Sequence, residues 1–513
     1  MLAAPFSTLP RALRKYGYWV AGALMIGVAA WVRFDGLGRW GLWRDEAICF
    51  FLSQKSFPMG IIDALRHEAH PPLYYFMEHF WVPLVGSTEF RIRLLSFGPG
   101  ALAIPLWLVA GRRMFGPLAG LAAALIGAFA PLHIMMSQTA RMYALLALLS
   151  LLSVWLLHEA WQKGGWWWAG YVIATIGVIY THNWGLFLLA AQNGFALWQM
   201  AVQKEWRRRL IPWLMTQTVI GLAYLPWLPI LLAQLQIIVV LPFVPIPTPA
   251  EKAWELAGVL LARWPAMLLW LGLLGLGLWP RKGQAFAERS GALALVIFCS
   301  LGTLGLGLLI SLRTYGQIPV YVTLSAYPAL CLLLGRGLAR LRPVWITLPL
   351  AALVIFFSIQ DLPRTRFLLK STLREVAYTV QAGAGPQDMI VIAPDYLAPT
   401  FNFYFKGAQP QIAFPWWMER LEWIDCYGWP EKWQRAAEAV PATLEAIEAQ
   451  LGPAGRLWLV VAPDEHPTDV VYYEQVRRLK QEIEARYQLE RSEQRFRNAT
   501  EWADVHIYRR TGG

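Results

Sequence analysis

Eleven apolar stretches, each near the length needed to cross a lipid bilayer, constrain this chain more than any other feature. A helix needs roughly 20 apolar residues to span about 30 Å of hydrocarbon. Runs that meet or approach that length lie near 16–33, 93–111, 117–136, 143–160, 166–181, 183–203, 211–233, 256–279, 290–312, 318–335 and 343–360. In lipid, backbone polar groups must be satisfied within the spanning segment, so such runs are predicted to be helices. With 57% hydrophobic and 15% charged residues, the 513-residue chain reads as an α-helical polytopic membrane protein over residues 1–360, not as a string of soluble domains. Cys49, Cys299, Cys331 and Cys426 are too far apart to suggest a disulfide framework or a zinc ribbon. Arg11, Arg14 and Lys15 precede the first run as in a signal sequence, but the spans behind it predict an uncleaved anchor.

Charge bias sets the orientation. The stretch 70–85 is apolar but short, holds His70, Glu78 and His79, and opens on Pro71-Pro72. If it lies on the membrane surface, the loops with Arg112/Arg113, Lys163, Lys204 and Arg207–Arg209, Arg281/Lys282/Arg289, and Arg336/Arg340/Arg342 all share a side with Arg11, Arg14 and Lys15. By the positive-inside rule that side is the cytoplasm. If 70–85 spanned, thirteen basic residues would move outside. The expectation is therefore eleven spans in a plasma (inner) membrane, with the N-terminus inside and a long outer loop, 34–92, where chemistry should lie. Within it, 45–53 and 58–67 have the apolar spacing of surface helices. Topology also accounts for the net charge of +12, and without a basic patch interleaved with aromatics no nucleic-acid partner is expected.

After Asp361-Leu362-Pro363 the pattern changes. Short strands are predicted at 389–393, 457–461 and 505–509, and amphipathic helices at 431–450 and 470–485. Residues 361–513 should form a small soluble α/β domain on the outer side.

Several outer residues are candidates for chemistry. Trp43-Arg44-Asp45-Glu46 places adjacent acids at the start of an apolar helix. Successive helix positions differ by about 100°, so both carboxylates cannot meet one substrate atom. One can act as a base while the other holds the helix; alternatively both are helix N-terminal acids favoured by the dipole. His67, Glu68 and His70 are metal-capable types, which makes a divalent cation a candidate cofactor there, yet the spacing is not that of an HExxH helix. The alternative is an interfacial turn whose Tyr74, Tyr75 and Trp81 form an aromatic belt. Glu89, Arg91 and Arg93 lead into the second span at its outer end, against the positive-inside trend. That placement suits binding of phosphate, with snorkelling to lipid headgroups as the competing explanation. Arg141, in Ser137-Gln-Thr-Ala-Arg141-Met-Tyr143, and Arg313, before Tyr315, are further outward arginines. Brought together by bundle packing, they would describe an anion pocket. Apart from Arg263, almost no ionisable residue lies at mid-membrane depth, which leaves little for a proton- or ion-coupled transporter to use.

These segments form a recognisable set in order and spacing. The Asp45-Glu46 pair in a long first outer loop is followed by His70-Pro-Pro-Leu-Tyr-Tyr, Gly86-x-x-Glu89-x-x-x-Arg93 and Gly111-Arg-Arg-Met-Phe-Gly116. Ser137-Gln-x-Ala-Arg141-x-Tyr143 and Tyr180-Thr-His182-Asn-Trp-Gly185 complete it. Over about residues 15–360 the chain resembles membrane glycosyltransferases of the C-type fold, and more narrowly the family 39 and related bacterial enzymes, relatives of protein O-mannosyltransferases and lipid A aminoarabinose transferases. The resemblance implies a polyprenyl-phosphate sugar donor and inverting transfer on the outer face of the membrane to a protein, lipid or cell-envelope glycan. It implies Asp45 as the catalytic position with Glu46 beside it, and His70, Glu89, Arg91, Arg141, Tyr143, His182 and Arg313 as donor-phosphate or substrate contacts. The chain departs from the pattern in two places. Val320-Tyr321-Val322-Thr323 stands where many relatives have an Arg-Tyr pair, leaving Arg313 as the expected replacement, and Ala69-His70-Pro71 stands where aminoarabinose enzymes have Glu-Lys-Pro.

The residue chemistry agrees with that reaction. A departing phosphate monoester with a second pKa near 6 needs no proton, so one carboxylate base and a cationic cradle suffice. Two adjacent helix acids do not give the carboxyl separation of a glycosidase. Two rivals stay open at this level: a lipid or solute transporter, and an inactive protein that only binds polyprenyl lipids.

Overall fold

The computed structural model describes residues 11–66, 68–238, 266–279, 286–311, 320–341, 344–367, 371–415, 429–462, 470–494 and 501–510. It is a helical bundle capped by a five-stranded domain. The first ten helices are α1 (Arg11–Phe34), α2 (Arg44–Ser53), α3 (Met59–Leu65), α4 (Leu73–Val85), α5 (Glu89–Phe115), α6 (Pro117–Phe129), α7 (Pro131–Ser137), α8 (Tyr143–Lys163), α9 (Trp167–Thr181) and α10 (Gly185–Gln203).

Among the described residues, six helices are long and apolar enough to cross a membrane, and α6 with α7 forms a seventh, bent candidate. Four shorter apolar helices, Trp167–Thr181, Met267–Leu278, Tyr327–Leu338 and Trp345–Gln360, fall on the remaining expected spans. Residues 256–265, 312 and 318–319, parts of expected spans, lie outside the described residues, as does the segment 313–317 between the last two of those spans. The segment expected on the surface becomes α4, only 13 residues long, about 20 Å of helix and too short for the hydrocarbon.

One expected span is bent. Over the run 117–136, α6 and α7 meet at a 61° angle across Ala130-Pro131. Pro131 has no N–H to give the Gly127 carbonyl, which would otherwise be left unpaired in an apolar bundle. Arg33, fully buried at the end of α1, supplies the missing donors. Its guanidinium reaches the carbonyls of Gly127 at 2.9 Å and Ala128 at 2.8 Å, and His133 Nδ1 at 2.8 Å. Small residues bring the neighbouring helices close: a Cβ on Gly111 of α5 would sit 2.8 Å from Gly120 Cα of α6.

The C-terminal strands are β1 (Met389–Ala393), β2 (Gln411–Ala413), β3 (Arg456–Val461), β4 (Tyr487–Glu493) and β5 (Asp504–Arg510), ordered β2-β1-β3-β5-β4. β1 runs parallel to β2 and β3, whereas β5 is antiparallel to β3 and β4. Every β1 residue is buried because both faces of the sheet are covered. Met389, Val391 and Leu459 pack with Ile447, Leu479 and Ile483 of the helices Trp429–Gln450 and Val470–Arg486. Ile390, Ile392, Trp458 and Val505 pack on the other face with Val376 and Phe401. That second cluster also takes in Leu42, Val82, Ile92 and Ala140, so the C-terminal domain and the 34–92 segment share one core.

Candidate active site

α2 carries the acidic pair, and its neighbours give the two carboxylates different surroundings. The Glu46 side chain is 1% exposed and accepts four hydrogen bonds. Oε1 takes Arg93 Nε at 2.8 Å and the Ala140 amide at 2.6 Å; Oε2 takes Arg93 Nη2 at 2.7 Å and the Trp43 amide at 3.2 Å. Arg93 spends its other donors on the carbonyls of Leu37, Trp40 and Gly41 at 2.7–2.9 Å, so all five of its N–H groups are used. Glu46 thus ties α2, α5 and the 138–142 turn together. Asp45, one position earlier, is 21% exposed at the side chain, with Arg44 Nε 3.4 Å from Oδ1.

Arg141 lies behind Asp45. Its turn is held by Ser96 Oγ, which donates to the Arg141 carbonyl at 2.9 Å and is bonded to the Tyr74 hydroxyl. Arg141 Nη1 donates to the Asp45 carbonyl at 3.1 Å, and Nη2 lies 3.5 Å from His70 Nδ1. Glu68 Oε2 is also 3.5 Å from His70 Nδ1. Asn183 fixes the 68–70 turn by donating to the Ala69 carbonyl at 3.0 Å and to Gln234, whose amide reaches the Leu65 carbonyl at 2.8 Å. Burial, and after it the positive charge of Arg141, pushes His70 down to about 3, so its ring is neutral at physiological pH.

His182 caps α9, and its ring centroid is 5.0 Å from that of His70 and 5.9 Å from that of Tyr143. The Trp184 amide donates to its Nδ1 at 3.1 Å, which leaves the proton on Nε2. Arg141 Nε, His182 Nε2 and the Tyr75 hydroxyl are all buried without a hydrogen-bond partner among the described residues. These donors suit an anionic oxygen.

The remaining expected residues are distributed elsewhere. Glu89 pairs with Arg374 of the C-terminal domain at 3.1 Å. Arg91 is exposed and lies beside Gly86. It is Arg93 that faces inward: two helix positions differ by about 200°, so Arg91 and Arg93 point to opposite sides. Arg313 and His67 lie outside the described residues. Among the described residues no three His, Cys, Asp or Glu side chains are grouped to hold a metal ion. Glu78, which the sequence marks only as a polar residue of the short 70–85 run, is buried beside α2, and burial pushes its carboxyl up to about 8. Reading the sequence passed over Glu501; its carboxylate accepts the Arg44 amide at 3.1 Å across 457 residues of sequence.

Similarity to solved structures defines the fold class. Over 96% of this chain and 98% of the other, the structure superposes on ArnT from Cupriavidus metallidurans bound to undecaprenyl phosphate, with TM-score 0.61 and 15% identity. The apo form of that ArnT gives TM-score 0.62 at 15% identity, over 96% of this chain and 97% of that one. The archaeal oligosaccharyltransferase AglB from Archaeoglobus fulgidus, in complex with an inhibitory peptide and a dolichol-phosphate, matches 88% of this chain and 70% of its own, with TM-score 0.52 and 10% identity. The protein has the C-type glycosyltransferase fold. The model of the dolichyl-phosphate-mannose-protein mannosyltransferase family matches residues 69–230, which include His70, Glu89, Arg141 and His182. No curated protein sequence matches the chain.

Proposed function

We propose that this protein is a membrane glycosyltransferase that moves a sugar from a polyprenyl-phosphate donor to an acceptor hydroxyl on the outer face, with inversion at the anomeric carbon. The observation that carries this reading is the pairing of a solvent-reachable carboxylate, Asp45, with a buried arginine, Arg141, whose neighbourhood holds unpartnered donors. Asp45 takes the proton from the acceptor hydroxyl as its oxygen bonds to the anomeric carbon. The bond from that carbon to the phosphate oxygen breaks, and the phosphate leaves with the electron pair. Arg141, Tyr75 and the His182 Nε2–H receive its charge. His70, held neutral, keeps Arg141 from facing a second cation. Glu46 holds the helix and touches no substrate. The polyprenyl phosphates bound to ArnT and AglB support the donor class.

Purified protein in lipid, offered polyprenyl-phosphate sugars, should release free polyprenyl phosphate and give a glycoside of inverted configuration, read by mass spectrometry and NMR. Hydrolysis-free binding with every donor and acceptor tested would instead favour a lipid-binding protein. The proposed topology has Asp45, His70 and the 361–513 domain outside and Arg112 and Lys204 inside; cysteines placed near 86 and 113 should react with an impermeant reagent from opposite sides.

A further inference from the structure

α2 begins without a capping side chain of its own. Trp43 occupies the cap position, and an indole can donate but not accept, so it cannot serve the free amides of the first turn. Ser, Thr, Asp or Asn would ordinarily do so. Glu46 supplies one acceptor, to the Trp43 amide. The acceptor for the next amide comes from the outer domain: Glu501 Oε2 receives Arg44 N–H at 3.1 Å and the Thr400 hydroxyl at 3.3 Å. The backbone holds Glu501 there. Gly41 pairs with Ser371, Ser371 pairs with Glu501, and the Thr372 amide donates to the Glu501 carbonyl at 3.0 Å. Beside this junction the Leu42 amide donates to the Tyr404 hydroxyl at 2.7 Å, and the Arg44 guanidinium lies over the Tyr396 ring at 5.3 Å.

We propose that Glu501 is a positioning residue for Asp45: by capping the first turn of α2 from the outer domain, it sets the depth and direction of the adjacent carboxylate. This rests on the reading of Asp45 as the base. The groups facing the Glu501 carboxyl are Arg44 and Asp45 of α2, the Ser371 hydroxyl and the Thr400 hydroxyl. Burial outweighs Arg44 and raises Glu501 to about 7. Ionised, it is an acceptor for all three donors; protonated, it must give up an acceptor site and the cap loosens. Completion of the catalytic helix thereby depends on the outer domain being docked and on Glu501 being charged.

The test uses full-length protein in lipid with Glu501→Ala and Glu501→Gln, the second retaining an acceptor oxygen without charge. Turnover by the unmodified protein should fall as pH drops through about 7. Glu501→Ala should lose roughly ten- to a hundredfold in kcat, the scale of a lost charge-assisted hydrogen bond, with donor affinity within about twofold. Its amides at 44–47 should exchange with deuterium faster. Glu501→Gln, neutral like the protonated acid, should hold turnover at the level the unmodified protein reaches below about pH 7, which removes the acid limb of the pH profile, and its amides at 44–47 should exchange faster than in the unmodified protein above that pH. Wild-type turnover and exchange in Glu501→Ala, or an unchanged acid limb in Glu501→Gln, would overturn the proposal. If no polyprenyl-phosphate sugar is transferred, the functional reading fails while exchange still decides the cap: exchange in both Glu501→Ala and Glu501→Gln faster than in the unmodified protein above about pH 7 supports it, and unchanged exchange in both overturns it.

Discussion

Two buried arginines contact the Asp45-Glu46 pair, and they differ in how completely their donors are used. Arg93 gives all five N–H groups to Glu46 and three carbonyls. Arg141 gives one to the Asp45 carbonyl, lies near His70, and leaves Nε without a partner among the described residues. A saturated guanidinium can hold structure but cannot respond to a ligand. An unsaturated one carries a desolvation cost that an arriving anion would relieve. The same contrast separates Glu46, locked by four hydrogen bonds, from Asp45, which is partly exposed and has Arg44 Nε at 3.4 Å. Adjacent residues on one helix therefore meet different surroundings because consecutive side chains point about 100° apart, and the proposed division of scaffold from chemistry rests on that difference.

The largest effect that would sharpen this contrast is kinetic. Asp45→Asn keeps shape but removes the base, so turnover on a cognate donor should fall on the order of 10²–10⁴-fold while the melting temperature stays put. Near-normal turnover would end the base assignment.

Breaking the scaffold pair should do the reverse in kind. Arg93→Met strands the Glu46 carboxylate in a dry core and should destabilise the fold by about 3–5 kcal/mol, seen as a large drop in thermal stability in lipid. Arg93→Met with Glu46→Met should recover much of that loss, and an equally unstable double variant would show that the pair does more than neutralise itself.

Next in size is Arg141→Gln. Losing a charge-assisted bond to phosphate should weaken polyprenyl-phosphate binding roughly ten- to a hundredfold, with a smaller shift in melting than Arg93→Met gives. Unchanged affinity, measured by calorimetry with the lipid alone, would remove Arg141 from the cradle.

The smallest effect concerns Glu78. Its carboxyl is raised to about 8 by burial, above its usual value near 4.5, so the folded state holds a proton that the unfolded state has released over that interval. Its contribution to stability is fully present below about 4.5 and is lost as pH rises through about 8. Glu78→Gln, already neutral, should flatten the decline in melting temperature across that window. A decline as steep as in the unmodified protein would place the titration elsewhere.

The length of the apolar runs made the bundle legible in the sequence, because a helix crossing hydrocarbon must satisfy its backbone locally and so advertises itself by composition alone. The Pro131 bend was less visible, since its stabilising partner, Arg33, belongs to another helix nearly a hundred residues earlier. In the outer domain, β1, β3 and β5 were predicted from their apolar runs. β2 is only three residues long, and β4, Tyr-Gln-Leu-Glu-Arg-Ser-Glu, is an exposed, charged edge strand paired on one side, so its polarity masks it.

By itself, then, the sequence determined the apolar helices, the change to strands and amphipathic helices after residue 361, and the set of residue types from which a site could be drawn, because each depends on local composition or spacing. Only the tertiary structure decided which member of each pair does what. Arg93 turns inward and Arg91 outward; Glu46 is locked and Asp45 open; Glu89 joins the outer domain through Arg374. The Arg44 amide finds its acceptor 457 residues away. Those choices follow from which side chains packing removes from water and which donors it leaves unspent, and neither is encoded within a short stretch of chain.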